Sequence, residues 1–359
     1  MKRFVTICIK AENVHLVKDV GMIPFYMQEN GFSSELVCDG TKKEYQYANK
    51  ELKDFRVTKI GYKKLALVNY IFKEGKSIDV LNMYHISIHK TLFYLVLYKI
   101  INPKGIAFLK TDLDYRGISS LENYRGLKKF LVEKMINKVD LVTSESREFA
   151  QRLSDLYKKK CYYLPNGVNV GSQVDLCNIR NNSFLTVGRL GSEQKNTKFL
   201  IDCYKSIYKK ISWNLVLVGP ITKQLNEYLE YLFKCNYELK ERIIYKGEIT
   251  DREQLYMEYL SAKCFVLPSK WESFGIVILE AMNAGDYLLI SDQIPPAKDL
   301  IEDTCGQSIS IENMKLWTDK MIEITHKNID HVHINRIAQK YDWKKICQLL
   351  AMYLKNCAS

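Results

Sequence analysis

Proline is scarce in this chain, with 7 among 359 residues, and no two cysteines form a C-x-x-C pair. The scarcity of proline leaves helices and strands largely uninterrupted and argues against a Pro-rich disordered chain. The ten cysteines (Cys8, Cys38, Cys161, Cys177, Cys203, Cys235, Cys264, Cys305, Cys347 and Cys357) are scattered singly, with no His at ligand spacing. Neither a disulfide framework nor a zinc site is expected, and a reducing cytoplasm is the simpler setting. Long hydrophobic runs are missing too: the most lipid-like stretch, Leu92–Tyr98, is well short of the roughly 20 residues that span a bilayer. The apolar run Phe4–Ile9 after Met1-Lys2-Arg3 is too short for a secretory signal and lacks a small-residue cleavage site, so it reads as a first strand.

What is present is a soluble-type balance, 47% hydrophobic and 26% charged, over a length suited to two domains. The net charge of +12 is lopsided: residues 1–170 hold 29 Lys+Arg against 18 Asp+Glu, the rest 24 against 23. A basic first half attracts anionic partners such as phosphate-bearing substrates or an acidic membrane leaflet. A nucleic-acid role is not expected, because no recognisable module or basic–aromatic groove pattern accompanies the charge.

Short apolar runs alternate with helical patterns from the start. Val5–Ile9 and Ser34–Cys38 read as strands around a helical pattern from His15 to Asn30 closed by Gly31, and the alternation continues through Val80–Tyr84, a helix over 89–101, Gly105–Lys110 and a helix from Tyr124 to Ile136. The turn sequence Pro165-Asn166-Gly167-Val168-Asn169 and the polar stretch Asn178–Asn182 mark a boundary. A second series then runs from strand Phe184–Val187 to strand Tyr287–Ser291, and residues 340–357 form a last amphipathic helix. The expected fold class is α/β with two Rossmann-like lobes of parallel strands. Residues 1–170 form the first domain and 171–338 the second, with 339–359 a helix bracing them.

Two segments of the second half carry chemistry. In Leu267–Gly285 a strand ends at Pro268, a loop exposes Glu272 and a helix begins near Gly275, with Glu280 inside it. Parallel strands bind ligands at such carboxyl ends. The N–H groups at Phe274 and Gly275 can meet hydroxyl or phosphate oxygens, and Ser273 beside them is a further candidate donor-binding residue. In isolation a Glu pair across a helix start is usually a cap plus a solvated residue. In Phe184–Asn196 a strand runs into Gly188 and Arg189, with Lys195 six residues on, a spacing able to aim two cations at a diphosphate.

Together these segments resemble the large family of retaining glycosyltransferases with the GT-B fold usually called family 4. Pro268-Ser269, Glu272, Phe274-Gly275, Glu280-Ala281-Met282 and Ala284-Gly285 fit its Glu, seven residues, Glu signature, and Gly188-Arg189-Leu190 with Lys195 fits its second. The resemblance implies that Glu272 contacts the donor sugar, that Glu280 holds the ribose, and that Arg189 and Lys195 neutralise a leaving diphosphate. Tyr245–Ile249 resembles a further family loop, which places Gly247 and Ile249 near the nucleotide base. The implied reaction moves a hexose or hexosamine from a nucleoside diphosphate sugar, expected to be UDP-linked, to a hydroxyl with retention. No metal or other cofactor is implied, and the acceptor is a sugar or lipid-linked sugar of bacterial surface-polysaccharide or glycolipid synthesis. The enzyme would be cytoplasmic, with peripheral attachment to the inner membrane face.

The first half follows that pattern only in outline. Where the family has a Gly-Gly pair closing on donor phosphates, this chain has Lys10–Asn13 and then Lys18-Asp19-Val20-Gly21; Gly21 serves either that approach or a structural turn. Asp112 stands where many members place a His, and reads either as facing the sugar or as a helix cap. Lys18, Asp19, Lys110, Asp114 and His85 are its expected acceptor-side neighbours. Asp112-Leu113-Asp114 is also a D-x-D string, which keeps a metal-binding alternative open. His15 and His89 could touch an acceptor, whereas His326, His331 and His333 read as solvated. The competing function is a nucleotide-sugar-binding protein of the same fold without transferase activity.

Overall fold

Seven strands of the first half lie in register beside one another: β1 Lys2–Ile7, β2 Phe32–Asp39, β3 Arg56–Ile60, β4 Val80–Tyr84, β5 Ile106–Thr111, β6 Leu141–Ser144 and β7 Cys161–Tyr163. They form one parallel sheet in the order β3-β2-β1-β4-β5-β6-β7. The second half builds another parallel sheet from β8 Ser183–Val187, β9 Asn214–Val218, β10 Ile243–Tyr245, β11 Cys264–Leu267, β12 Tyr287–Ser291 and β13 Gly306–Ile309, ordered β10-β9-β8-β11-β12-β13. The computed structural model describes residues 1–39, 44–61, 64–170 and 180–358, so Cys177 and the start of the polar boundary at Asn178 lie outside the described residues.

Strand burial explains the layering. Every residue of β4, β5, β11 and β12 is buried, as expected of parallel strands covered on both faces, with Asn82, Lys110, Thr111 and Ser291 as the polar residues within them. The edge strand β3 instead exposes Arg56 and Lys59, charges that blunt an open edge. In each sheet the winding direction reverses once, between β1 and β4 and between β8 and β11. A doubly wound sheet opens a crevice at the carboxyl ends of such a strand pair.

The chain divides into two compact units, Met1–Gly167 with Tyr341–Ser359, and Val168–Lys340. The closing helix Trp343–Ala358 therefore groups with the first unit. Trp343 is fully buried, and a side chain at Gly167 would lie 2.7 Å from its ring. Tyr353 donates to the Tyr163 carbonyl at 3.1 Å and its ring lies 4.7 Å from that of Tyr162.

The single helix expected over His15–Asn30 is instead two α-helices, Asn13–Leu16 and Asp19–Met27, and a 3-10 turn, Gln28–Asn30, before left-handed Gly31. Extended backbone at Lys18 breaks it. Gly21 lies buried inside the second of these helices, where a Cβ would meet the Leu16 carbonyl oxygen at 2.3 Å. The bare α-carbon thus lets two helical turns approach, which gives Gly21 a packing role. Among the described residues no helix is long and apolar enough to cross a membrane.

Replacing Trp343 with Ala removes a large buried side chain that only the last helix supplies. The first unit should lose about 3–5 kcal/mol, read as an earlier urea transition by circular dichroism. A loss below about 1 kcal/mol would mean that the helix is dispensable to that unit.

Candidate functional site

At the crevice of the second sheet, the loop after β8 and the loop after β11 are bonded to each other. Gln194 Nε2 donates to the Trp271 carbonyl at 3.1 Å, and Lys270 N donates to the Gln194 carbonyl at 2.8 Å. The neighbouring loops are stitched on alongside: Gly188 N donates to Val218 O at 3.0 Å and Gly219 N to Gly247 O at 2.8 Å. At Gly219 (φ +131°) a Cβ would sit 1.9 Å from the Gly188 carbonyl oxygen, so only glycine fits this backbone crossing.

Glu272 is the centre of this arrangement. Lys195 Nζ donates to its Oε1 at 2.5 Å, Ser269 Oγ to the same oxygen at 2.9 Å, and Gln194 Nε2 to Oε2 at 3.1 Å. The ion pair is almost buried, with side-chain exposures of 13% and 9%, so its geometry is held rather than averaged by solvent. Arg189 is exposed on the same loop and donates to Gln194 Oε1 at 2.6 Å. Lys195 precedes Asn196, whose left-handed backbone caps the helix Thr197–Ile207. Sequence spacing singled out Glu272, Arg189 and Lys195; Ser269 entered only as part of the signature, with no role of its own, and Gln194 was not marked.

Past Glu272 the chain turns through buried Phe274 and left-handed Gly275 into the helix Ile276–Ala284. That turn sets Glu280 one helical step inward, where Arg252 Nη2 and Tyr259 OH, the latter at 2.9 Å, donate to its two oxygens. Burial first, and then the Glu280 carboxylate, push the Tyr259 phenol far above its ordinary value, so Tyr259 remains a neutral donor. Arg252 and Tyr259 lie on the helix Arg252–Ser261, and no sequence pattern had set them apart. Ser273 is half-buried beside this turn; Gly247, with left-handed backbone, and Ile249 are half-buried past β10.

The first unit places a different constellation at the carboxyl ends of its strands. Lys110, on β5, is fully buried, and its three N–H donors meet Asp19 Oδ2 at 2.9 Å, Glu145 Oε1 at 2.5 Å and Asn166 Oδ1 at 2.9 Å. Lys110 and Asp19 are therefore internal partners of one another, not side chains open to an acceptor. Behind them, Tyr84 OH donates to the Asp19 carbonyl at 3.1 Å and Asn82 Nδ2 to Tyr84 OH at 3.2 Å. Burial is the largest influence on Glu145 and, with Asp112 and Asp19 nearby, outweighs Lys110, so its carboxyl is held above the usual range. Glu145 directly follows β6, and that position was the one signal that could have flagged it.

Asp114 caps the helix Tyr115–Glu122, accepting from Gly117 N at 2.7 Å, and pairs with Arg116 at 2.7 Å. That accounts for the second aspartate of the D-x-D string by a structural role. Asp112 is half-buried and its Oδ1 has no hydrogen-bond partner among the described residues. His85 is exposed just past β4 in left-handed backbone (φ 67°), its N–H donating to the Lys110 carbonyl at 3.1 Å. Lys18 is half-buried at the start of the helix Asp19–Met27. His15 is half-buried, with Nδ1 accepting from Glu12 N at 2.9 Å; the side chain of His89 lies outside the described residues.

Lys110→Met leaves the Asp19 carboxylate without its cation and the buried Glu145 and Asn166 side chains without their donor, and should destabilise the first unit by about 3–5 kcal/mol. Because Glu145 keeps its proton in the native state at pH values where an unfolded chain releases it, the native state binds more protons. Stability should decline as pH rises from about 5 into the neutral range. Glu145→Gln should flatten that slope in urea titrations across pH; an unchanged slope would show that Glu145 does not carry it.

Residues 177–341 match the family described as glycosyl transferases group 1. The chain is 37% identical over 109 residues to an uncharacterized glycosyltransferase of Methanocaldococcus jannaschii, a match covering 30% of this chain and only 26% of that relative. It is 23% identical over 323 residues, 85% of each chain, to an uncharacterized 41.2 kDa protein in the cps region of Klebsiella pneumoniae. Among solved structures, Anabaena HepE in complex with UDP superimposes with a TM-score of 0.69 at 17% identity, covering 99% of this chain and 100% of that one. The second half of the chain thus matches the glycosyl transferases group 1, and the chain as a whole has the GT-B fold of two Rossmann-like units.

Proposed function

We propose that this protein is a retaining glycosyltransferase that moves a hexose or hexosamine from a nucleoside diphosphate sugar, UDP-linked, to a hydroxyl of a sugar or lipid-linked sugar acceptor. The observation that carries the reading is the Glu272 carboxylate held by Lys195 and Gln194 across the crevice of the second sheet. Glu272 meets the sugar of the donor, and the paired Lys195 with exposed Arg189 supplies two cations for the diphosphate. An arriving diphosphate competes with Glu272 for the Lys195 ammonium, so donor binding rebalances a charge pair already in place.

The bond between the anomeric carbon and the phosphate oxygen breaks with its electrons passing to the phosphate. Arg189 and Lys195 stabilise that charge, an effect worth several kcal/mol where water is excluded. The acceptor oxygen bonds to the same face of the anomeric carbon, and its proton passes to the departing phosphate oxygen. No protein base is required and the cations stand in for a metal. Glu280, oriented by Tyr259 and Arg252, accepts from the ribose hydroxyls, with Gly188, Phe274, Gly275, Ser273, Gly247 and Ile249 lining the donor. In the first unit, Asp112, His85 and Lys18 are the groups offered to the acceptor, with Lys110 and Asp19 acting from behind. The UDP bound by HepE and the cps-region relative favour a UDP-sugar donor and a surface-polysaccharide acceptor, presented at the inner membrane face. The second reading, donor binding without transfer, draws on the first unit's departures at Gly21 and Asp112.

Among nucleoside diphosphates, UDP should raise the melting temperature most, since a ligand of the native state stabilises it. Arg189→Ala and Glu280→Ala should each weaken that binding by about 10- to 100-fold, and Glu272→Gln should cut turnover more than it cuts nucleotide affinity. Unchanged affinity in the first two variants would sink the site assignment. Tight UDP-sugar binding with no turnover over a panel of acceptors would favour the binding protein.

A further inference from the structure

The helix Gly126–Ile136 of the first unit has two apolar faces. Val132 and Ile136 are buried and turn inward. At about 100° per residue, Leu127, Phe130 and Leu131 point the opposite way, and they are 72%, 52% and 39% exposed. Together with Lys134 they follow the i, i+3, i+4, i+7 spacing of a single helical stripe. Core packing explains the inner face; nothing in the packing of the unit calls for the outer one.

Basic side chains border that stripe. Residues 125–138 contain Arg125, Lys128, Lys129, Lys134 and Lys138 against the single acid Glu133. Lys128 Nζ stands 3.6 Å from the centroid of the Tyr124 ring and Lys134 Nζ 5.5 Å from that of Phe130, while Lys129 pairs with Glu133 at 3.7 Å. The helix packs against the turn Ile88–Leu92, which carries exposed Lys90 and runs directly into exposed Phe93. A second copy of the chain is a poor occupant, because an isologous contact would set this net charge of +4 against itself.

We propose that this face docks on an anionic bilayer surface, with Leu127, Phe130 and Leu131 entering the headgroup–acyl boundary and the lysines and Arg125 lying over acidic headgroups. The inference rests on the reading of a membrane-presented acceptor and gives it a location. Docking by one helix of the first unit brings lipid-linked substrate to that unit without any membrane-spanning segment.

Cosedimentation of the full chain with vesicles, without nucleotide or acceptor, tests this separately from the transfer reaction. The protein should pellet with phosphatidylcholine vesicles containing roughly a third phosphatidylglycerol, not with phosphatidylcholine alone, and salt near 0.5 M should weaken the binding. Phe130→Asp with Leu131→Asp should lower the bound fraction at least about tenfold while leaving the melting temperature in place, because both residues are exposed. Lys128→Gln with Lys129→Gln should weaken binding by a smaller factor. Equal binding to neutral vesicles, or undiminished binding by the aspartate variant, overturns the proposal. So does a dimer in solution that the aspartate variant splits, which would give this face to a second copy.

Discussion

Lys195 and Glu272 are 77 positions apart in the chain and 2.5 Å apart in the fold. Their pairing is what the second unit's chemistry hangs on. Each would be costly to bury alone, and together they tie the loop after β8 to the loop after β11 where the sheet reverses its winding. Once Glu272 is fixed, the turn through Gly275 is fixed, and the helix that begins there carries Glu280 to Tyr259 and Arg252. One ion pair thus sets the positions of two buried carboxylates with different partners, the first met by Lys195, Gln194 and Ser269 and the second by Arg252 and Tyr259.

The first unit has the same strand order with one further edge strand, β7, and uses its carboxyl ends differently. There the cation is sealed inside: Lys110 spends all three of its donors on Asp19, Glu145 and Asn166. The second unit leaves Arg189 exposed and Lys195 paired once, so positive charge is within reach of a ligand. A like strand order therefore yields a buried polar cluster in one unit and a charge pair beside an exposed arginine in the other, a contrast set by where the loops place donors and not by the sheets.

Much of this was legible in the sequence. Strands such as Cys264–Leu267 and Tyr287–Ser291 are continuous apolar runs, and burial on both faces is what such runs record. Strand Arg56–Ile60 was not legible, because an edge strand carrying exposed charges has no periodic apolar signal. Nor was the break at Lys18, which follows from the approach of Gly21 to the Leu16 backbone, a contact that periodicity does not encode. Glu272, Arg189 and Lys195 could be found because their spacing forms a pattern within short segments. Gln194 and Ser269 lay in those segments without chemistry that distinguishes them from loop residues. Lys110, Asp19, Glu145 and Asn166 come from four separate stretches, and only the winding of the sheet brings them together.

The first unit is discontinuous, since Trp343 and the helix it begins lie beyond the whole of the second unit in the chain. During synthesis residues 168–340 emerge before the helix that fills the space beside Gly167 and Tyr163. The later domain is therefore complete in sequence first, while the earlier one still lacks a segment made after it. On the ribosome the order of completion runs against the order of translation.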